Sequence, residues 1–286
     1  MLDLLQAVLN GLLIGAVFAL VAVGLTIIFG VMDIVNFAHG ELLMLGMYVT
    51  FFAWSLLGLD PLVAIPVAAI ALAAAGVLTY RGLIRPVLGK PMLSQIMVTF
   101  GLLTLLRGLA QFLWTPNSRT VADPLVGDVR VELGRLAFGG PQLVAAAGAL
   151  ICTAAVALFV SRTETGNALQ ATGEDAQAAA LLGIDADRMN ALAWLIGGGT
   201  VGVAGALLMN SYSVSPDAGA AFGLIAFVAV ALGGFGSVIG AGLAGLALGV
   251  VQGVVGLYAS AYSLAAVLAL YLAVILVRPQ GLLGTR

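Results

Sequence analysis

Charge is what this sequence has least of. Asp, Glu, Lys and Arg together make 8% of 286 residues, against about 25% in a soluble domain. So few ions cannot cover a soluble fold of this size, which excludes a soluble enzyme. A disordered chain is excluded too, since disorder needs high charge and little apolar content. Eleven basic and 13 acidic residues leave a net charge of −2. No basic stripe exists to follow phosphates, so no nucleic-acid partner is expected. His39 and Cys152 are the single histidine and the single cysteine. They allow neither an intrachain disulfide nor a zinc spacing. Lys90 is the single lysine and sits in Gly-Lys-Pro, so no GxxxxGK[ST] phosphate loop is present. No Ser/His/Asp set, HExxH or paired intramembrane Asp is present either. No catalytic residue, metal or cofactor is expected.

What is abundant is apolar. The AVILMFWYC set makes 62% of the chain and Gly adds 38 residues; mean hydropathy is +1.16. A spanning helix needs about 20 apolar residues. Candidate runs lie near 8–30, 40–58, 62–80, 94–114, 141–160, 191–210, 219–235, 238–256 and 261–277. Runs such as Val63–Leu78 are Ala-rich and apolar on every face, unlike the alternating strands of a porin-type barrel. Two joins are weak, Val31–His39 and Leu232–Gly240. The expected fold is an all-α polytopic membrane protein, one transmembrane domain over 1–286. It has eight or nine transmembrane helices, with eight crossings plus a broken or re-entrant segment as the alternative. Asp3 and the lack of Lys or Arg before the first run argue against a cleavable signal.

Lys and Arg set the orientation. Arg81, Arg85 and Lys90 cluster without acids, as do Arg278 and Arg286. Both segments are expected in the cytoplasm, with loop 161–190, Arg162 and Arg188. Loop 115–140 and the N-terminus are then external. Arg119, Arg130 and Arg135 fall in that external loop, offset by Asp123, Asp128 and Glu132. Residues 128–133 alternate with period two, the pattern of a short strand or hairpin.

Loop 161–190 is long for a membrane protein but not disordered in composition. Asn167 is placed to cap a helix over 168–182. Gly183 stands at the C′ position, followed by Ile184. Asp185 or Asp187 caps the next helix. Glu174 and Asp175 form a polar edge; Leu169, Ala176, Ala180 and Leu181-Leu182 form a small apolar surface. Such a helix is too acidic and small-faced for lipid. It suits close docking into a protein groove, or a connector packed under its own bundle.

Ionisable groups inside spans point to function. Asp33, Asn36, His39 and Glu41 interrupt an otherwise apolar pair of spans, with Gly30 and Gly40 at either side. They read as a discontinuous helix lining a pathway, or equally as an ordinary turn capped by Asp33 or Asn36. Arg107 reads as a structural hydrogen bond to a neighbouring helix. Gly245, Gly249 and Gly253 form a small-xxx-small ladder for close packing. Gly233-Gly234-Phe235-Gly236 is able to open a helix and echoes Gly30–Gly46. Two such breaks in matching halves of an internal repeat would both face the translocation path.

Several motifs in order carry a family resemblance. They are Asn36-Phe-Ala-His-Gly-Glu41, Arg85-Pro86, Gln177-Ala178-Ala179-x-x-x-Gly183, Leu232-Gly-Gly-Phe-Gly-Ser-Val-Ile-Gly240 and Arg278-Pro-Gln-Gly281. Over nearly its full length the chain resembles the H-type permease subunit of high-affinity branched-chain amino-acid ABC importers. The Gln177 segment resembles the EAA loop of ABC permeases, with Gln177 replacing the motif's Glu and without its downstream Ile-x-Leu-Pro. The resemblance implies a permease for leucine, isoleucine, valine or a related small solute such as urea, an amide or an aromatic acid. It implies a bacterial inner-membrane complex with a second, M-type permease, two cytoplasmic ATPase subunits and a periplasmic substrate-binding protein. Glu174, Asp175, Gln177, Ala178, Ala179 and Gly183 would then couple to the ATPases. The rival readings are an autonomous channel or secondary carrier, with Asp33, His39, Glu41 and Arg107 as its only coupling charges, and a non-transporting scaffold.

Overall fold

The structure, a computed structural model, describes residues 1–278 and 280–284. Pro279, Thr285 and Arg286 lie outside the described residues, so the orientation reading on Arg286 and the Pro279 position of the tail motif do too.

α1 (Leu2–Met32) is the axis of the bundle and is buried on every face from Gly15 to Ile28. An all-round apolar helix must be covered on all sides, and α1 is. α10 (Val238–Ala259) runs antiparallel beside it, with Gly253 near Ala7, Gly249 near Gly15 and Gly245 near Ala19. A methyl group on Gly245 would lie 2.5 Å from the Ala19 nitrogen, so the small-residue ladder is what lets these backbones touch. α3 (Ile65–Thr79) and α8 (Ala186–Leu208) meet the same way through Gly76, Gly198 and Gly202. α3 continues through a π-helical turn, Tyr80–Ile84, and a short 3₁₀ turn, Arg85–Val87. α4 (Met92–Trp114) and α5 (Gly140–Arg162) are peripheral; α4 buries only Thr99, Leu102 and Ala110.

Among the described residues, seven helical segments are long and apolar enough to cross a membrane. The last of them, 238–277, is a hairpin rather than one rod. After α11 (Ser263–Val277) the chain is back where α10 began, with Leu282 N–H donating to Leu232 O at 2.8 Å. α9 (Ala218–Gly233) has 16 residues, about 24 Å of helix. All nine expected runs are therefore helices, with α1 and α8 starting about five residues earlier than the apolar pattern alone places them.

β1 (Arg130–Leu133) and β2 (Leu136–Gly139) form an antiparallel hairpin. Gln6 near the start of α1 holds it, exchanging hydrogen bonds with Ala137 at 2.8 and 3.0 Å. The 161–190 segment lies at the opposite end, where Gly173 packs on Gly30. The bundle thus has a hairpin end and a loop end. Arg81, Arg85, Lys90, Arg162, Arg188 and Arg278 belong to the loop end; Arg119, Arg130 and Arg135 belong to the hairpin end.

Candidate functional site

The chain between α1 and α2 (His39–Leu57) does not turn at the end of the bundle. α1 stops at Asp33, left-handed at φ 53°, whose N–H caps Phe29 O. The chain then climbs back along α1 until His39 Nε2 meets Val21 O at 3.0 Å. Val21 is eleven residues before Met32, about 16 Å along the helix. Residues 33–36 carry no regular structure and 37–38 turn into α2, so the climb is shared between about four residues of chain, at most about 14 Å, and the length of the His39 side chain. α1 is about 46 Å long, and Val21 lies only four residues from its midpoint. α2 therefore begins deep in the bundle, and 33–38 is a re-entrant stretch. Asn36 starts α2: its Oδ1 accepts from Ala38 N–H at 3.1 Å and its carbonyl accepts from His39 N–H. Thr99 of α4 anchors Val35 O at 3.0 Å, and Phe37 stacks on Phe227.

Asn36, His39 and Glu41 are buried, and Asn36 Nδ2, His39 Nδ1 and Glu41 Oε2 have no hydrogen-bond partner. Three orphaned polar atoms within six residues are unusual in a native core. Glu41 pairs with Arg107 of α4, which donates to Oε1 at 2.5 Å. Arg107 Nε lies 4.0 Å from Asp217, just before α9. Glu41 Oε2 faces Gly219 in the first turn of α9, where the positive end of the helix dipole favours an anion. α2 and α9 come this close because Gly40 meets Gly219 and Gly223 directly.

Beside this pair lies a cavity of about 460 Å³, within the roughly 300–1,000 Å³ of small-molecule sites. Glu41 and Arg107 supply its charge; Phe37, Leu103, Leu224 and Phe227 supply apolar wall. Asn36, His39 and Asp33 do not line it. A smaller cavity of about 250 Å³ between α1, α5, α8 and α10 carries amides such as Asn10 and Gln252 but no charged side chain.

Gly233, Gly234, Phe235 and Gly236 are not a second deep break. They form the α9–α10 turn at the loop end, with Gly234 and Gly236 at φ 101° and 82°. Gly236 touches Gly30, Phe235 packs on Phe29, and the tail bonds Leu232 and Gly233 carbonyls. None of the four lines the charged cavity.

The 161–190 segment folds as two short helices, not one helix over 168–182. Thr163, not Asn167, caps α6 (Glu164–Glu174), accepting from Gly166 N–H at 2.9 Å. The chain breaks at Asp175, whose Oδ1 accepts from Gln177 and Ala178 N–H to start α7 (Ala176–Leu181). α7 ends at Gly183, φ 85°, with Ile184 N–H to Ala179 O and Gly183 N–H to Ala180 O. That is the Schellman pattern expected of a C′ glycine. Asp185 caps α8. Asp187 instead accepts from buried Tyr80 at 2.8 Å and pairs with Arg85. Glu174, Asp175, Gln177, Ala178 and Gly183 are exposed; Ala179 is buried. Leu169 is buried too, but Leu181 and Leu182 are 90% and 81% exposed.

One feature escaped the sequence reading. Arg107 bonds specifically to Glu41, 66 residues away; the signal available was that these are opposite charges in separate apolar runs. Of the small apolar surface expected on this segment, Leu181 and Leu182 stand exposed at a helix tip while Leu169 is buried.

Comparisons with known proteins cover nearly the whole chain. Residues 7–278 match the family described as branched-chain amino acid transport system / permease component. The chain is 35% identical to the high-affinity branched-chain amino acid transport system permease protein LivH of Escherichia coli K12, covering 98% of this chain and 95% of that one. It is 32% identical, with the same coverage, to the corresponding permease protein BraD of Pseudomonas aeruginosa. It is 26% identical to a probable branched-chain amino acid transport permease protein LivH of Methanocaldococcus jannaschii, covering 98% and 92%. No solved structure matches. A multi-pass helical bundle with a re-entrant charged segment and full-length matches to these permeases place this chain in the family of branched-chain amino acid transport system permease components.

Proposed function

We propose that this chain is the transmembrane permease subunit of an ATP-driven importer. It moves branched-chain amino acids, or related small solutes, across a bacterial inner membrane into the cytoplasm. The observation that carries the reading is α7. Two leucines stand almost fully exposed at the tip of a capped, glycine-terminated helix, at the end of the bundle where six of the described basic residues gather. The basic bias supports a cytoplasmic loop end and an external N-terminus. Leu181 and Leu182, flanked by Glu174, Asp175, Gln177, Ala178 and Gly183, suit insertion into an ATPase groove. Ala179 and Gly183 shape the helix that carries them. The family resemblance supplies the remaining partners: a second permease of the M type, two ATPase subunits and a periplasmic binding protein. Glu41 lines the translocation path in this reading, and Asn36 and His39 fix the start of the helix that presents it. Asp33 closes α1 at the loop end, and Gly233, Gly234, Phe235 and Gly236 close the α9–α10 turn at the same end.

Gly183→Trp tests the coupling role. A Cβ at Gly183 meets nothing among the described residues within 4 Å, so a side chain there starts in open space and points at a docked partner. The left-handed backbone adds about 1–2 kcal/mol of local strain. In proteoliposomes holding the full importer, Gly183→Trp should insert normally yet lose ATP-driven uptake. Wild-type uptake by this variant would sink the docking role.

The buried Glu41–Arg107 pair also suits a secondary carrier. Solute flux by the purified chain alone, without ATP, would decide for that reading.

A further inference from the structure

The charged cavity between α2, α4 and α9 has a feature the transport reading does not by itself require. It holds one carboxylate and one guanidinium at membrane depth, beside an apolar wall. We infer that this cavity is a transit site for an amino-acid zwitterion, with Glu41 taking its ammonium and Arg107 its carboxylate. The inference rests on the transport reading and names the substrate-contacting groups within it.

Stability alone does not account for the pair. Glu41 is 1% exposed and the Arg107 side chain 29%. A buried ion pair is on average no more stable than apolar residues of the same volume, and ionisable groups in membrane spans are costly. Both partners also keep unused capacity. Glu41 Oε2 is buried with no hydrogen bond; Arg107 Nε makes none either and has only the long contact to Asp217 at 4.0 Å. A guanidinium has five N–H donors, of which one reaches Glu41. An α-amino acid presents the missing counterparts together, an ammonium and a carboxylate on one carbon. Its side chain would lie on Phe37, Leu103, Leu224 and Phe227, all apolar. A branched aliphatic group fits that wall; a second charge does not, because no further charged residue lines the cavity among the described residues.

Charge balance favours passage over capture. The Glu41–Arg107 pair cancels itself, the further carboxylate near it, Asp217 at 4.0 Å from Arg107 Nε, is 67% exposed, and a zwitterion adds no net charge. No net charge is carried into or left behind in the membrane. The incoming ions compete with a formed ion pair, so occupancy is weak and release is fast. That is what a permease needs when a binding protein supplies affinity.

The test uses the complete importer in proteoliposomes with leucine as solute, read as initial uptake and as binding-protein-stimulated ATPase activity. Variants are Glu41→Gln, Arg107→Gln, the double variant, and Ala220→Trp, which fills the cavity while keeping both charges. Each single variant should lower uptake about tenfold or more, the size of one lost charged hydrogen bond, with stimulated ATPase within about twofold of wild type. The double variant should stay as low, because matched amides replace the contact but not the charges. Ala220→Trp should also block uptake. Recovery of wild-type uptake by the double variant would make the pair a helix clamp and overturn the inference. If the charge variants do not assemble, wild-type uptake by Ala220→Trp overturns it instead. Failure of the wild-type importer to take up leucine would contradict the transport reading, a result separable from all of these.

Discussion

Replacing Gly40 by Ala should loosen the whole re-entrant arrangement. The added methyl would lie 2.8 Å from Gly223 Cα and 3.0 Å from Gly223 N, and it would also overlap Gly219 O. Carbon atoms rest about 3.5–4.0 Å apart. All three neighbours are backbone and cannot rotate away, so α2 and α9 must separate by about 0.7–1.2 Å. Overpacking of this kind costs about 1–3 kcal/mol. At roughly 2–4 °C per kcal/mol for a chain of this size, the apparent Tm should fall by about 2–12 °C. Gly101→Ala is the matched control, since a Cβ there meets nothing within 4 Å. Thermal unfolding of the two detergent-purified variants, followed by tryptophan fluorescence, gives the comparison. The same displacement moves Glu41 away from Gly219 and the first turn of α9, so uptake should fall as well. A Gly40→Ala protein melting within about 1 °C of Gly101→Ala would refute the close α2–α9 contact and the depth assigned to α2.

Other perturbations separate strong contacts from weak ones. Leu181→Asp with Leu182→Asp should abolish co-purification of the ATPase subunits while helical content by circular dichroism stays unchanged; retained ATPases would place docking elsewhere. Asp175→Ala removes the cap of α7 and should cost about 1 kcal/mol. Amides of residues 176–181 should then exchange hydrogen about fivefold faster by mass spectrometry, and unchanged protection would argue against the two-helix loop. Arg85→Ala should cost at most about 1 kcal/mol, because the Arg85–Asp187 pair is 58% and 46% exposed. Tyr80→Phe deletes a buried donor to the same carboxylate and should cost about as much. A thermal shift much larger for Arg85→Ala than for Tyr80→Phe would contradict that ranking.

Sequence alone was a good guide to elements whose cause is local. Nine apolar runs became nine apolar helices because length and hydropathy are properties of the run itself. The alternation at 128–133 became a hairpin, and Gly183 ended α7 as its position required. Competition between neighbouring caps was harder to read. Thr163 outcompeted Asn167, and Asp175 cut the expected helix in two because its carboxylate satisfies two amides at once. The depth of 33–38 was not readable, since it depends on His39 reaching a carbonyl 18 residues earlier. The two glycine-rich joins looked equivalent in sequence yet differ in the structure. One is stretched along α1 by Asn36 and His39; the other closes tightly through two left-handed glycines at the bundle's end.

The central claim is that this chain works only as one part of an ATP-driven complex. The most direct measurement is the mass and composition of the complex purified gently from its native membrane through a tag on this chain. The expected result is one copy of this chain with a second permease and two ATPase subunits. A particle containing this chain alone that still moves solute would contradict the claim.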